Sequence, residues 1–163
     1  DHRDRGTGTT ILDLDDRSNL WSGMAQARSR VGAVLSRVDV AVGNREECEM
    51  AVGVSDPEKA ADALLERGVK LAIVKQGPKG TLAKTADERV WVDAWDVDVV
   101  NGLGAGDAFG GALIHGLVEG WDLERTIRYA SAAGAYVCLH IECSTAMPTH
   151  EQLQTFVETG VLP

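Results

Sequence analysis

The chain has no surplus of positive charge. Its 163 residues carry 16 Lys+Arg against 25 Asp+Glu, a net charge of −9. That balance argues against nucleic acid or an anionic membrane as the main partner. No apolar run is long enough to span a bilayer, and no signal peptide is recognisable. Cysteine is scarce: Cys48, Cys138 and Cys143 are unevenly spaced. They fit reduced thiols in a cytoplasmic setting rather than a disulfide frame or a zinc site. Repeats, low-complexity tracts and a Gly-x-x-x-x-Gly-Lys-Ser/Thr phosphate loop are also absent. What remains is 44% apolar and 25% charged, the composition of a globular domain with a core to bury.

The hydrophobic pattern predicts alternating strands and helices. Short apolar runs at Thr10–Leu14, Val38–Val42 and Val69–Val74 read as interior strands. Between them, Met24–Ser36 carries a helical stripe of Met24, Ala27, Val31, Val34 and Leu35. Asn44 with Glu47 three residues on reads as a capping box for a helix through Val52. Asp56-Pro57 opens another, which stops at Gly68. Thr81–Lys84 and Glu88–Val92 suggest an edge hairpin after the Lys75–Gly80 turn. Trp91 and Trp95 are expected to cover the sheet. Asp122 is placed to cap a helix bearing Leu123, Ile127, Ala130, Ala133 and Gly134 on one side, and Thr149 to cap the last helix, from Glu151 to Glu158.

One stretch organises the rest: Asn101-Gly-Leu-Gly-Ala-Gly-Asp-Ala-Phe-Gly-Gly-Ala112. An apolar approach ending at Val99-Val100 enters it, and a small-residue helix from Ala105 to Leu117 leaves it. Glycines at 102, 104 and 106 let the backbone turn sharply and approach a ligand. A helix starting there points free N–H groups outward at its positive end, a cradle suited to phosphate. Asp107, in the first turn, is placed to take a proton from a hydroxyl held beside that cradle. An acidic residue there also serves plain dipole compensation. Spacing alone leaves both roles open.

The same stretch resembles the Gly-Ala-Gly-Asp signature of the ribokinase-like (PfkB-type) sugar kinases. The resemblance implies an ATP- and Mg2+-dependent kinase. It makes Asp107 the base, with the amides of Gly104, Ala105 and Gly106 as the anion hole for the transferring phosphate. Asn101-Gly102-Leu103 stands where the family often has Asp-Thr-Thr, positions that help bind a monovalent cation in some members; dependence on such a cation is left open.

Further segments are similar to the same family. Asp13, Asp15, Arg17, Leu20 and Trp21 match its Asp-x-Asn-x-Arg-x-x-Leu-Trp segment, with Asp15 replacing Asn. The likeness puts Arg17 near substrate or phosphates; otherwise it is a surface arginine stacked on Trp21. Asn44 and Glu47 match an Asn-x-x-Glu motif that orders the water shell of Mg2+, a role compatible with capping. Lys75, Gly77 and Gly80 fall in the family's strand–turn–strand unit along the nucleotide. Ser131 stands where the family places an Asn near adenine, although its alanine neighbours are explained by close helix packing. Cys143-Ser144-x-Ala146-Met147-Pro148-Thr149 is most similar to the family's 5-dehydro-2-deoxygluconate-phosphorylating group, of inositol breakdown. Cys143 itself reads as a loop thiol.

The resemblance covers Thr10 to Pro148 and only the C-terminal part of the family fold. Residues 1–163 are therefore expected to form a partial ribokinase-like domain: three-layer α/β/α with a largely parallel sheet, holding the nucleotide and the base. The N-terminal part, with most sugar contacts and a β-rich lid, is expected to lie outside it. The implied substrates are ATP and a sugar or keto-sugar acid, with ribose, fructose and 2-keto-3-deoxygluconate as alternatives. A homodimer is an expectation for the full-length protein. Two other readings stay open: an inert nucleotide-binding fragment, and a dinucleotide-binding module. For the latter, Gly102-x-Gly104-x-Gly106 lacks the following acidic strand end.

Overall fold

A computed structural model describes residue 6 and residues 8–161. The chain divides into two compact units: one up to Gly77 with Thr81–Trp91, the other Pro78–Gly80 with the chain from Val92 onward.

The first unit is built on strands β1 (Ile11–Asp13), β2 (Val40–Asn44), β3 (Leu71–Lys75), β4 (Thr81–Lys84) and β5 (Arg89–Val92). They form one sheet in sequential order. β1, β2 and β3 are parallel, with Ile11 beside Val40 and Val40 beside Leu71, while β4 runs antiparallel to β3. The sheet is thus mixed, parallel on one side and finished by the β4–β5 hairpin. Helices α1 (Met24–Leu35), α2 (Arg45–Val52) and α3 (Pro57–Glu66) supply the crossovers. β2 and β3 are buried through four consecutive residues, as interior parallel strands are. Leu35, Cys48, Met50, Leu64, Val74 and Leu82 form much of this unit's core.

Two expectations about this unit need correction. β1 is part-buried rather than buried: among the described residues it pairs with β2 alone, and Leu14 just beyond it carries the burial. The α1 stripe is also narrower than its spacing suggested. Ala27 and Leu35 are buried, whereas Met24 and Val34 are 51% and 41% exposed.

Charge fixes the amino end of this sheet. Buried Asp39 accepts bonds from the Thr10 amide and hydroxyl at 3.0 and 2.8 Å and pairs with Lys70 at 2.8 Å. The hydrogen bond from Lys70, then that from the Thr10 amide, hold its carboxyl well below the usual carboxylate range.

The second unit contains α4 (Ala105–Val118), α5 (Leu123–Cys138) and α6 (His150–Thr159). Small residues let α4 and α5 approach closely. A Cβ on Gly116 would meet Thr126 at 2.9 Å, and one on Gly134 would meet the Ala105 carbonyl at 3.1 Å. Asp122 caps α5 through the Arg125 amide, and Thr149 forms a capping box with Gln152. α6 is anchored by Phe156 and by the Tyr129 hydroxyl bonded to His150 Nδ1 at 2.7 Å. Trp95 packs on Phe156 with ring centroids 5.1 Å apart, so its cover goes to α6. Trp91 lies on the exposed face of β5, 39% accessible, because Val90 and Val92 take the buried face.

Candidate active site

In the first unit, three parallel strands deliver chemistry to one edge. β1, β2 and β3 end at Asp13, Asn44 and Lys75, and Asn44 lies beside Lys75 in the register. Asn44 has extended backbone, and its side chain accepts from the Glu47 amide at 2.9 Å; the Glu47 carboxylate accepts from the Asn44 amide at 2.6 Å. The capping box is therefore present in full. Burial raises the Glu47 carboxyl above its ordinary range, partly offset by the Asn44 amide and by Lys75, with Asp13 and Asp15 raising it further. Gly43, just before the cap, has no room for a side chain: a Cβ would meet Leu14 at 2.8 Å.

Arg17 follows β1 in the same unit. It is exposed and paired with Asp15 at 3.0 Å. Asp15 holds φ +27, a conformation Asp tolerates better than most residues, and its amide donates to Asp13. Asp16 Oδ1 and Gln76 Nε2 are buried without a hydrogen-bond partner among the described residues. Both follow strand ends at this edge. Gly77 turns the chain after β3 with φ +56.

In the second unit the glycine-rich stretch turns into a helix where its spacing suggests. Gly104 is the N-cap of α4 at φ +86 and offers no side-chain cap. Of the amides that follow it, that of Ala105 donates to the Gly102 carbonyl at 3.4 Å, and those of Gly106 and Asp107, in the first helical turn, lack an intrahelical partner by geometry. Asp107 stands in this turn; it is exposed, and no ion pair to it forms among the described residues. The helix dipole favours its charge there. The loop is held from behind: a Cβ on Gly104 would lie 2.5 Å from Cys143 Sγ and 3.5 Å from Met147. Ser131 lies on α5 one turn before Gly134, the residue packed on the Ala105 carbonyl. Gly80, at φ +99, abuts the Val92 carbonyl so closely that only glycine fits.

The structure thus groups Asn44, Glu47, Lys75, Gly77 and Arg17 in one unit, and Gly80, Gly104, Ala105, Gly106, Asp107 and Ser131 in the other. Two residues shape the loop in ways their local sequence does not indicate. Cys143 backs Gly104, and Asn101 bridges two segments through its carboxamide. Only the structure brings residues forty positions apart together.

The fold is ribokinase-like. An E. coli protein assigned as ribokinase II, solved with ATP and Mg2+, superposes with a TM-score of 0.85 at 30% identity, covering 95% of this chain and 50% of that one. Aminoimidazole riboside kinase from Salmonella enterica, complexed with aminoimidazole riboside and an ATP analogue, gives 0.85 at 28% identity, over 96% of this chain and 54% of that one. The chain belongs to the pfkB family of carbohydrate kinases, whose model matches residues 5–150. A relative named 5-dehydro-2-deoxygluconokinase, from Photobacterium profundum, is 34% identical over 98% of this chain and 50% of its own length. The chain spans about half the length of the curated relatives it matches.

Proposed function

We propose that the chain carries the nucleotide-binding and proton-abstracting part of an ATP-dependent carbohydrate kinase of the cytoplasm. The acceptor is a hydroxyl of a sugar or keto-sugar acid, with 5-dehydro-2-deoxy-D-gluconate of inositol breakdown as the first candidate. One observation carries this reading: an uncapped helix start at a left-handed Gly104, with an exposed carboxylate in its first turn. The relatives' names support the choice of acceptor.

In this mechanism Asp107 accepts the proton of the attacking hydroxyl. The amides of Gly104, Ala105 and Gly106 donate to the transferring phosphoryl group and stabilise its charge without reorganising. No group of three or more acidic, imidazole or thiol side chains able to hold a metal forms among the described residues, so the edge would hold Mg2+ only through its water shell, to which Glu47, with Asp13 and Asp15 raising its carboxyl, offers oxygen. Asn44 and Glu47 would order that ion's water shell. When bound, Mg2+ would neutralise charge on the phosphates. Lys75, Gly77, Gly80 and Ser131 would line the nucleotide; the unpartnered Gln76 Nε2 beside Lys75 is a donor left for such a ligand. Arg17 would face the acceptor or the phosphates.

A coupled phosphotransfer assay of the intact protein tests the proposal with 5-dehydro-2-deoxygluconate, 2-keto-3-deoxygluconate, ribose and fructose. The expected result is ATP- and Mg2+-dependent turnover, fastest with the first. No turnover with any sugar or keto-sugar acid would refute the activity. Preference for another of the four would refute the acceptor alone.

A further inference from the structure

The anion loop has little to hold it from outside. A Cβ on Gly102 would meet nothing within 4 Å, and Leu103 is 68% exposed. Its position depends on the segment that follows α5. The amides of Val100 and Asn101 both donate to the Cys138 carbonyl, at 2.8 and 3.2 Å. The Asn101 carboxamide then works at both ends. Nδ2 donates to the Ile141 carbonyl at 2.8 Å, and Oδ1 accepts from the Leu103 amide at 3.1 Å. Behind the loop, Cys143 and Met147 press on Gly104. The chain after α5 is thereby clasped to the loop by Asn101 in front and by the thiol behind.

We propose that Asn101 is a positioning residue for phosphoryl transfer: its side chain fixes the register of Leu103 and Gly104, and so the aim of the first-turn amides of α4. The inference rests on the kinase reading and deepens it. Both ends of the Asn101 carboxamide are engaged by the chain itself, which leaves it a positioning part. Its effect passes through the amides, whose alignment matters only as charge builds on the transferring group. Losing the clasp therefore lowers kcat far more than it raises KM for ATP. A glycine-flanked loop has no intrinsic preference that would restore the aim.

The test compares Asn101→Ala and Asn101→Asp with wild type in the intact protein, by steady-state kinetics and by amide hydrogen exchange over residues 101–107. Asn101→Asp keeps the acceptor for Leu103 but sets an oxygen against the Ile141 carbonyl. Expected for Asn101→Ala are a kcat lowered about tenfold or more, a KM for ATP within about threefold, and exchange about tenfold faster. Asn101→Asp should fall between. A folded Asn101→Ala protein with kcat within about twofold of wild type overturns the inference, and so does unchanged exchange. If Asn101→Ala does not fold, Asn101→Asp is judged by the same limits. Should wild type itself transfer no phosphoryl group, the kinase reading fails; exchange then still decides whether the clasp exists.

Discussion

Replacing Gly104 by Ala perturbs the anion loop with a single methyl group. Two costs can be worked from the structure. Gly104 sits at φ +86, where a residue with a Cβ is disfavoured by about 1–2 kcal/mol. The new carbon would also lie 2.5 Å from Cys143 Sγ, and overpacking of that kind costs about 1–3 kcal/mol. Together they give about 3 kcal/mol. At about 2–4 °C per kcal/mol for a chain of this size, Tm falls by about 6–12 °C. The two parts separate in a double-mutant cycle. In a Cys143→Ala background the steric part disappears and the backbone part stays, so the coupling energy should be about 1–2 kcal/mol. Thermal and urea unfolding of the four proteins measure it. A Gly104→Ala Tm within about 2 °C of wild type would refute the reasoning; so would an equal loss in both backgrounds, which would remove Cys143 as the wall behind the loop.

Further predictions concern the first unit. Asp39 has a carboxyl held below its ordinary range, so its stabilisation is complete above the unfolded value near pH ~4 and is lost as pH falls through the folded value. Asn at this position should cost about 1 kcal/mol at pH 7, because Lys70 is exposed, and should flatten the acid limb of the Tm–pH curve; an unchanged limb contradicts the assignment. Glu47 has the opposite sign. Its raised carboxyl stabilises below the unfolded value near pH ~4.3, and that contribution fades as pH rises. Glu47→Gln can keep the cap, so its Tm relative to wild type should rise between pH 4 and 7. In the intact protein the same change should raise the Mg2+ concentration needed for half-maximal activity severalfold; equal Mg2+ dependence would leave Glu47 as a cap alone.

Much of this molecule is written locally. The Asn44–Glu47 box, the Asp56-Pro57 start, the Asp122 and Thr149 caps and the Gly104 turn are short-range patterns, and each lies where its residues indicate. Strand ends shifted by a residue or two, since β2 and β3 begin where pairing begins rather than where apolar residues do. The misread features depend on neighbours. β1 is part-buried because among the described residues it pairs with β2 alone, and Trp91 is exposed because the pleat gives Val90 and Val92 the inner face. The wall and clasp of the loop were illegible for the same reason: Cys143 and Asn101 act on residues brought near only by α5 and the turn after it.

In the proposed reaction Asp107 takes the proton while first-turn amides of α4 hold the charge. The most direct test is Asp107→Asn in the intact protein, with kcat and the Kd for ATP–Mg2+ measured side by side. The expected result is a kcat lowered by about 10²–10⁴, with ATP affinity little changed. A variant that turns over within a few-fold of wild type would contradict it.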